Sequence, residues 1–200
     1  MRGQTLRHAV WHTHINAVNA PQGLRHWLTG GGSLTAKLIA HSSAFRVQRL
    51  HQRTAICLND EAHAIGLHTA GRVWEREVLL RCDNTPVVFA HTVVPMTATA
   101  SDWPLFSALG ERSLGATLLF GDPRVQRGVL EFARLREGHP LVMRARAALA
   151  LEQNPPDWPP QLWYARRCLY RRRQGTLLVT EVFLPSVQNL KKSNKETNTQ

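Results

Sequence analysis

Two charges in this chain stand where apolar residues are expected. In RVWEREVLLRCDNTPVVFAHTVVP (72–95), Trp74, Arg76, Val78 and Leu80 alternate with Glu75, Glu77 and Arg81. A period of two is the pattern of a strand, so Arg76 is a cation on an otherwise apolar face. In TLLVTEVFLP (176–185), Leu177, Val179, Glu181 and Phe183 share one face, and Leu178, Thr180, Val182 and Leu184 share the other. Glu181 is the only ionisable group of that strand. Neither charge is cheap to bury alone, since breaking a buried pair costs roughly 3–5 kcal/mol. Two arrangements satisfy them. They form a structural salt bridge, or they stand in a polar pocket inside a sheet-based core. In the pocket, Arg76 would grip a ligand carboxylate through two parallel hydrogen bonds, and Glu181 would face a hydroxyl or a proton in motion.

The elements that position these residues follow from the order of patterns. Residues 72–95 read as two strands joined at Asp83-Asn84. Val87 to Val94 is apolar on both faces, as a central strand is. Pro21 to Thr29, with Leu24, Trp27 and Leu28, is a short helix broken by Gly30, Gly31 and Gly32. Ser33 caps a second helix through Leu34, Leu38 and Ile39. Phe45 to Leu58 supplies one or two strands, and Asn59 to Gly71 a connection. Ser101 caps a short helix over 102–109, stopped by Gly110. Ser113 begins another through Leu114, Leu118, Leu119 and Phe120. Val125 to Arg136 fits a helix or a strand. Residues 142–160 read as an insertion in a surface loop, with a helix at 142–151 and a proline-rich stretch after it. Leu162 to Arg172 is a strand, Gln174-Gly175 a turn, and 176–185 the last strand. Residues 1–20 read as a loosely packed arm, 21–185 as one domain, and 186–200 as a disordered polar tail. No βαβ alternation occurs. The fold class is therefore α+β with a single, mainly antiparallel sheet.

Composition narrows the function. The chain has 200 residues, is 43% hydrophobic and carries a formal charge of +11. That suffices for one domain with a core, and a charge of this sign attracts anionic substrates. Cys57, Cys82 and Cys168 form no CxxC pair, so neither a zinc site nor a disulfide framework is expected. No leader segment or membrane span is read, and a cytoplasmic setting is expected. His91 shares the parity of Val87, Phe89 and Val93; it reads as a satisfied core residue, with a pocket role as the alternative. His8, His12 and His14 read as part of the arm rather than as metal ligands. Ser33 and Ser113 read as caps, and Glu75 and Glu77 as a solvated face. The basic run Arg166, Arg167, Arg171, Arg172 and Arg173 also reads as a solvated face. Its alternative is weak contact with an anionic membrane surface; no nucleic-acid partner is expected, because no binding motif accompanies the charge.

Three segments carry a family resemblance: WEREVLLRCDNTPVVFAHTVVP, SLGATLLF and LLVTEVFLP, in that order. With the weaker GSLTAKL and LWYARR, the chain resembles the chorismate–pyruvate lyase family over about residues 24–185. The resemblance implies a lyase that converts chorismate to 4-hydroxybenzoate and pyruvate, the first committed step towards ubiquinone; that chemistry needs no cofactor or metal, and a monomer is expected. It implies an antiparallel sheet with short helices on one side and two helix-turn-helix flaps over an internal ligand site; the two glycine-broken helical pairs match those flaps. Arg76, in W-x-R-E, would bind the ring carboxylate, and Glu181, in L-T-E-x-F-L-P, would face the 4-hydroxyl. The backbone at Leu34 and Leu114 would complete the substrate contacts. Met is frequent in the family where this chain has Leu34, a change that a main-chain contact survives. The rival reading is a non-catalytic small-molecule-sensing domain, because a ligand-binding domain of some transcription regulators shares this fold. Those chains usually carry an N-terminal winged helix, for which residues 1–30 are too short.

Overall fold

A computed structural model describes residues 8–159 and 161–191 of the chain. Its centre is the hairpin of β2 (Arg72–Cys82) and β3 (Thr85–Pro95). Asp83 and Asn84 both take left-handed φ values, 49° and 65°. Two such residues in a row make the tight turn whose twist matches the flanking strands. Asp83 Oδ1 then accepts the backbone N–H groups of Ser43 and Ala44 at 2.9 and 2.8 Å, which ties the turn to the start of β1 (Phe45–Ile56). With β4 (Val125–Leu135), β5 (Trp163–Arg172) and β6 (Gly175–Phe183), six strands form one sheet in the order β1-β2-β3-β6-β5-β4, every neighbour antiparallel. β3 and β6 lie in the middle, as their apolar residues on both faces require. The ambiguous 125–136 segment is a strand.

The front face carries Arg76, Val78 and Leu80. Over it pack α1 (Gln22–Thr29) and α2 (Leu34–Ile39), whose Trp27, Leu28, Leu34 and Leu38 join Val78, Leu80 and Ala90 in one apolar cluster. Farther along the same face lies the 96–121 segment. Its expected helix over 102–109 is instead a chain of tight turns. Trp103, Phe106 and Leu109 are all buried at a spacing of three, and each carbonyl in that series accepts the N–H three residues on. Three-residue spacing suits such turns better than a 3.6-residue helix. Ser101 caps nothing there; its hydroxyl donates to Asp102. After Ser113 comes one wide, π-type turn, Gly115–Leu119. The second flap is therefore not a helix-turn-helix.

Helices also cover the back face, contrary to the one-sided arrangement expected. α3 (Asn59–Ala64), in the stretch read as a connection, packs Ala62 against Val73, Val93 and Leu178. α4 (Pro140–Leu149) buries Leu141, Val142, Ala145 and Leu149 against Leu79, Phe89 and Val182. The span 142–160 is thus no mere surface loop, since its helical part is core. The arm is also packed where it is described: His12 bridges Phe132 on the edge strand β4, and Trp11 Nε1 donates to Asp60 at 2.8 Å. Val187, in the short turn Pro185–Asn189, is fully buried, so the ordered chain extends past 185. Residues 1–7 and 192–200 of the arm and tail lie outside the described residues.

Candidate active site

The two front-face clusters leave a cavity between them. Its floor is the sheet and its roof is the two flaps. Arg76, Glu181, Leu34 and Leu114 all line it. Strand register explains how. Arg76 pairs with Thr92, which pairs with Val179; one side-chain row away, Val78 pairs with Ala90, which pairs with Glu181. Two inter-strand spacings and one row separate Arg76 from Glu181, about 12 Å between backbones at ordinary sheet spacings. Leu34 opens α2 and Leu114 precedes the wide turn, so the two leucines enter from opposite flaps.

Arg76 is 2% exposed and has no carboxylate partner among the described residues. Its Nη2 donates to the carbonyls of Gly110 and Arg112, both at 3.0 Å, and its Nε has no partner. Gly110 sits at φ 55°, a left-handed conformation that suits glycine. Burial, with a smaller push from Arg49, lowers the Arg76 pKa to about 10, so it stays charged at neutral pH. A buried cation held only by carbonyls is an incomplete arrangement that an anion would complete.

Glu181 does not pair with Arg76. It accepts a short hydrogen bond from Arg166 Nε. Arg166 is itself buried and directly opposite Glu181 in the β5–β6 register. Its Nη1 donates to the carbonyls of Trp27, Leu28 and Gly30 at 3.3, 3.2 and 3.1 Å. Those carbonyls lie at the C-terminal end of α1, where a cation is favoured. Arg166 therefore fixes both the carboxylate and the first flap. The basic run is not the solvated face its sequence predicts: Arg166 and Arg167 are buried, Arg167 pairs with Glu131, and half-buried Arg172 pairs with Asp122, each at 2.8 Å. Arg127, Cys168 and Tyr170 also line the cavity, unforeseen in the sequence. Burial pushes the Cys168 thiol and the Tyr170 phenol up, keeping both neutral.

One hydrogen bond joins the flaps across the roof, between the hydroxyls of Thr35 and Ser113, 2.8 Å apart. Such a bond contributes about 1 kcal/mol, roughly fivefold in an equilibrium. Thr35→Val should therefore raise the dissociation rate of a bound aromatic acid about fivefold in a stopped-flow chase, with a smaller change in the association rate.

Behind the sheet the remaining charges form a second group, closed off from the cavity. Glu75 and Glu77 are buried rather than solvated. Arg144 of α4 donates to both at 2.7 Å, and His51 lies 2.8 Å from Glu75. His91 is fully buried between Glu77 at 3.1 Å and Glu61 at 3.0 Å. The two carboxylates outweigh the burial penalty and raise its pKa to about 10, so it is an imidazolium with no pocket role. His51, Glu75 and Glu77 bring potential metal-ligand atoms within 4.8 Å of one another. The Arg144 guanidinium already occupies the cation position between the two glutamates. Among the described residues no helix is long and apolar enough to cross a membrane.

Comparison with known proteins agrees with this architecture. The chain is 46% identical over 185 residues to a probable chorismate pyruvate-lyase of Cupriavidus metallidurans, covering 92% of this chain and 83% of that protein. It is 51% identical over 161 residues to a probable chorismate pyruvate-lyase of Ralstonia nicotianae, covering 80% of each. Its fold resembles PhnF from Mycobacterium smegmatis, with a TM-score of 0.52 at 15% identity over 79% of this chain and 66% of that one. The sequence profile of the chorismate lyase family matches residues 5–193, and the chain belongs to that family.

Proposed function

We propose that this protein removes pyruvate from chorismate to give 4-hydroxybenzoate in the cavity under the two flaps. In the cell this would be the entry step to ubiquinone, carried out in the cytoplasm. The observation that carries the reading is Arg76: a buried cation without an anionic partner among the described residues, lining the same cavity as the carboxylate of Glu181, which Arg166 orients. With their backbones about 12 Å apart across the sheet, the two side chains are set to meet opposite ends of a six-membered ring that carries a carboxylate and a para hydroxyl. The sheet floor and both flaps reach the cavity from a single chain, and action as a monomer is part of this reading. Internal pairing of Arg166, Arg167 and Arg172 leaves Arg171 and Arg173 as the exposed part of the basic run, a small basis for contact with an anionic membrane.

Arg76 holds the ring carboxylate, and the N–H groups at Leu34 and Leu114 add to that grip from the flaps. Glu181, oriented by Arg166, accepts a hydrogen bond from the 4-hydroxyl. The ether bond at ring carbon 3 breaks, its electrons forming the ketone of pyruvate. The hydrogen on carbon 4 passes to the methylene carbon of the enolpyruvyl arm, which becomes the methyl group. The ring gains its last double bond and becomes aromatic, which drives the reaction. The protein's main contribution is to hold the arm over the carbon-4 hydrogen, and orientation of this kind is worth several kcal/mol. Chorismate deuterated at carbon 4 should deliver its label to the pyruvate methyl group, read by mass spectrometry. Label lost to water would make Glu181 a general base in a stepwise elimination instead.

A further inference from the structure

The cavity holds more positive charge than its aromatic product needs. Three guanidinium groups line it, on Arg76, Arg127 and Arg166, against one carboxylate, Glu181. Arg166 and Glu181 cancel. Arg76 and Arg127 remain without an acidic partner among the described residues. Chorismate carries two carboxylates, one on the ring and one on the enolpyruvyl arm; 4-hydroxybenzoate carries one.

We propose that Arg127 binds the enolpyruvyl carboxylate of the substrate, and so tells chorismate apart from 4-hydroxybenzoate. This rests on the reading of the cavity as a chorismate site. Position favours it. Arg127 is on β4 and Arg76 on β2, at opposite sides of the cavity, with Glu181 on β6 between them. Glu181 marks the carbon-4 end of the ring. The arm leaves from carbon 3, beside carbon 4, and therefore extends away from Arg76 towards β4 and β5. Arg166, the other cation on that side, is already committed to Glu181 and three flap carbonyls. Arg127 is far less committed. Its Nη1 donates to the carbonyl of Gly31 in the first flap, and its Nε is buried without a partner. Register places it opposite Tyr170, whose neutral phenol also lines the cavity. Anchored at both ends, the arm loses the rotational freedom that would take its methylene off the carbon-4 hydrogen. After cleavage the same guanidinium holds pyruvate, while Arg76 holds 4-hydroxybenzoate.

The test compares ligands that differ by one carboxylate. Arg127→Ala should raise KM for chorismate by about 30-fold or more, the loss expected when one partner of a desolvated charge pair is removed. Its Kd for 4-hydroxybenzoate should stay within about threefold of wild type, because that ligand never meets Arg127. Arg127→Lys should recover part of the KM. Equal weakening of chorismate and 4-hydroxybenzoate would overturn the inference and leave Arg127 a support for the first flap. An unchanged KM would overturn it by placing the arm elsewhere. Wild-type protein that binds 4-hydroxybenzoate yet is inert towards chorismate would overturn the site reading itself, a failure visible before any variant is made.

Discussion

Arg76→Met should lower kcat/KM for chorismate about 10³-fold, in line with the loss of a desolvated charge-assisted pair. It should not destabilise the empty protein. Arg76 is buried, yet among the described residues only two carbonyls and no carboxylate hold its guanidinium. Removing a charge with no countercharge relieves a desolvation penalty, and methionine refills much of the volume. The melting temperature of ligand-free Arg76→Met should therefore equal or exceed that of wild type. The ligand response should go the other way. In wild type, 4-hydroxybenzoate at 100 times its Kd should add about 2.7 kcal/mol of stability. In Arg76→Met the same concentration should add almost none. Differential scanning fluorimetry with and without ligand reads both effects. A variant that melted several degrees lower without ligand and still responded to it would make Arg76 a structural residue.

His91→Leu should produce the largest loss of stability, about 3–5 kcal/mol at neutral pH by urea denaturation, since it leaves buried carboxylates without their cation. The pH dependence gives the sign. The folded pKa of His91, about 10, lies above its ordinary 6.5. Its contribution is full below 6.5 and is lost as pH rises through about 10. Glu77 runs opposite: burial opposes its charge, but His91 and Arg144 outweigh it and lower the pKa from 4.5 to about 2. Its contribution is full above 4.5 and is lost as pH falls through about 2. Wild type should therefore be most stable between about pH 4.5 and 6.5 with respect to this group. In His91→Leu the alkaline decline should vanish. The deficit should shrink towards pH 4, where Glu61 and Glu77 can protonate. A uniform deficit from pH 4 to 9 would mean that lost packing, not charge, sets the cost.

Much of this was legible in the sequence, for reasons that differ by residue. The alternation around Arg76 and Glu181 identified both as misplaced charges, and the structure brings them, with Leu34 and Leu114, to one cavity. Arg166 was missed because five arginines in eight residues look like a solvated face. The turn also lies one residue earlier than the Gln174-Gly175 expected from the sequence: at Arg173-Gln174 it pairs 172 with 175 and so 166 with 181, whereas a turn at 174–175 would set 168 opposite 181. Arg127 was hidden by the helix-or-strand ambiguity of its segment. Glu75 and Glu77 were misread because their neutralising partners come from afar, Arg144 from α4 and His51 from β1. Periodicity reports which residues share a face. It does not report that a helix some seventy positions later will cover that face.

The most direct measurement is the fate of chorismate itself. Purified protein incubated with chorismate, with 4-hydroxybenzoate and pyruvate each quantified by chromatography, should form the two in equal amounts over many turnovers. Arg76→Met, assayed beside it, should form about a thousandth as much per unit time at low substrate. Folded wild-type protein that binds chorismate and releases it unchanged would contradict the central claim, and would make the cavity the sensing site of a non-catalytic domain.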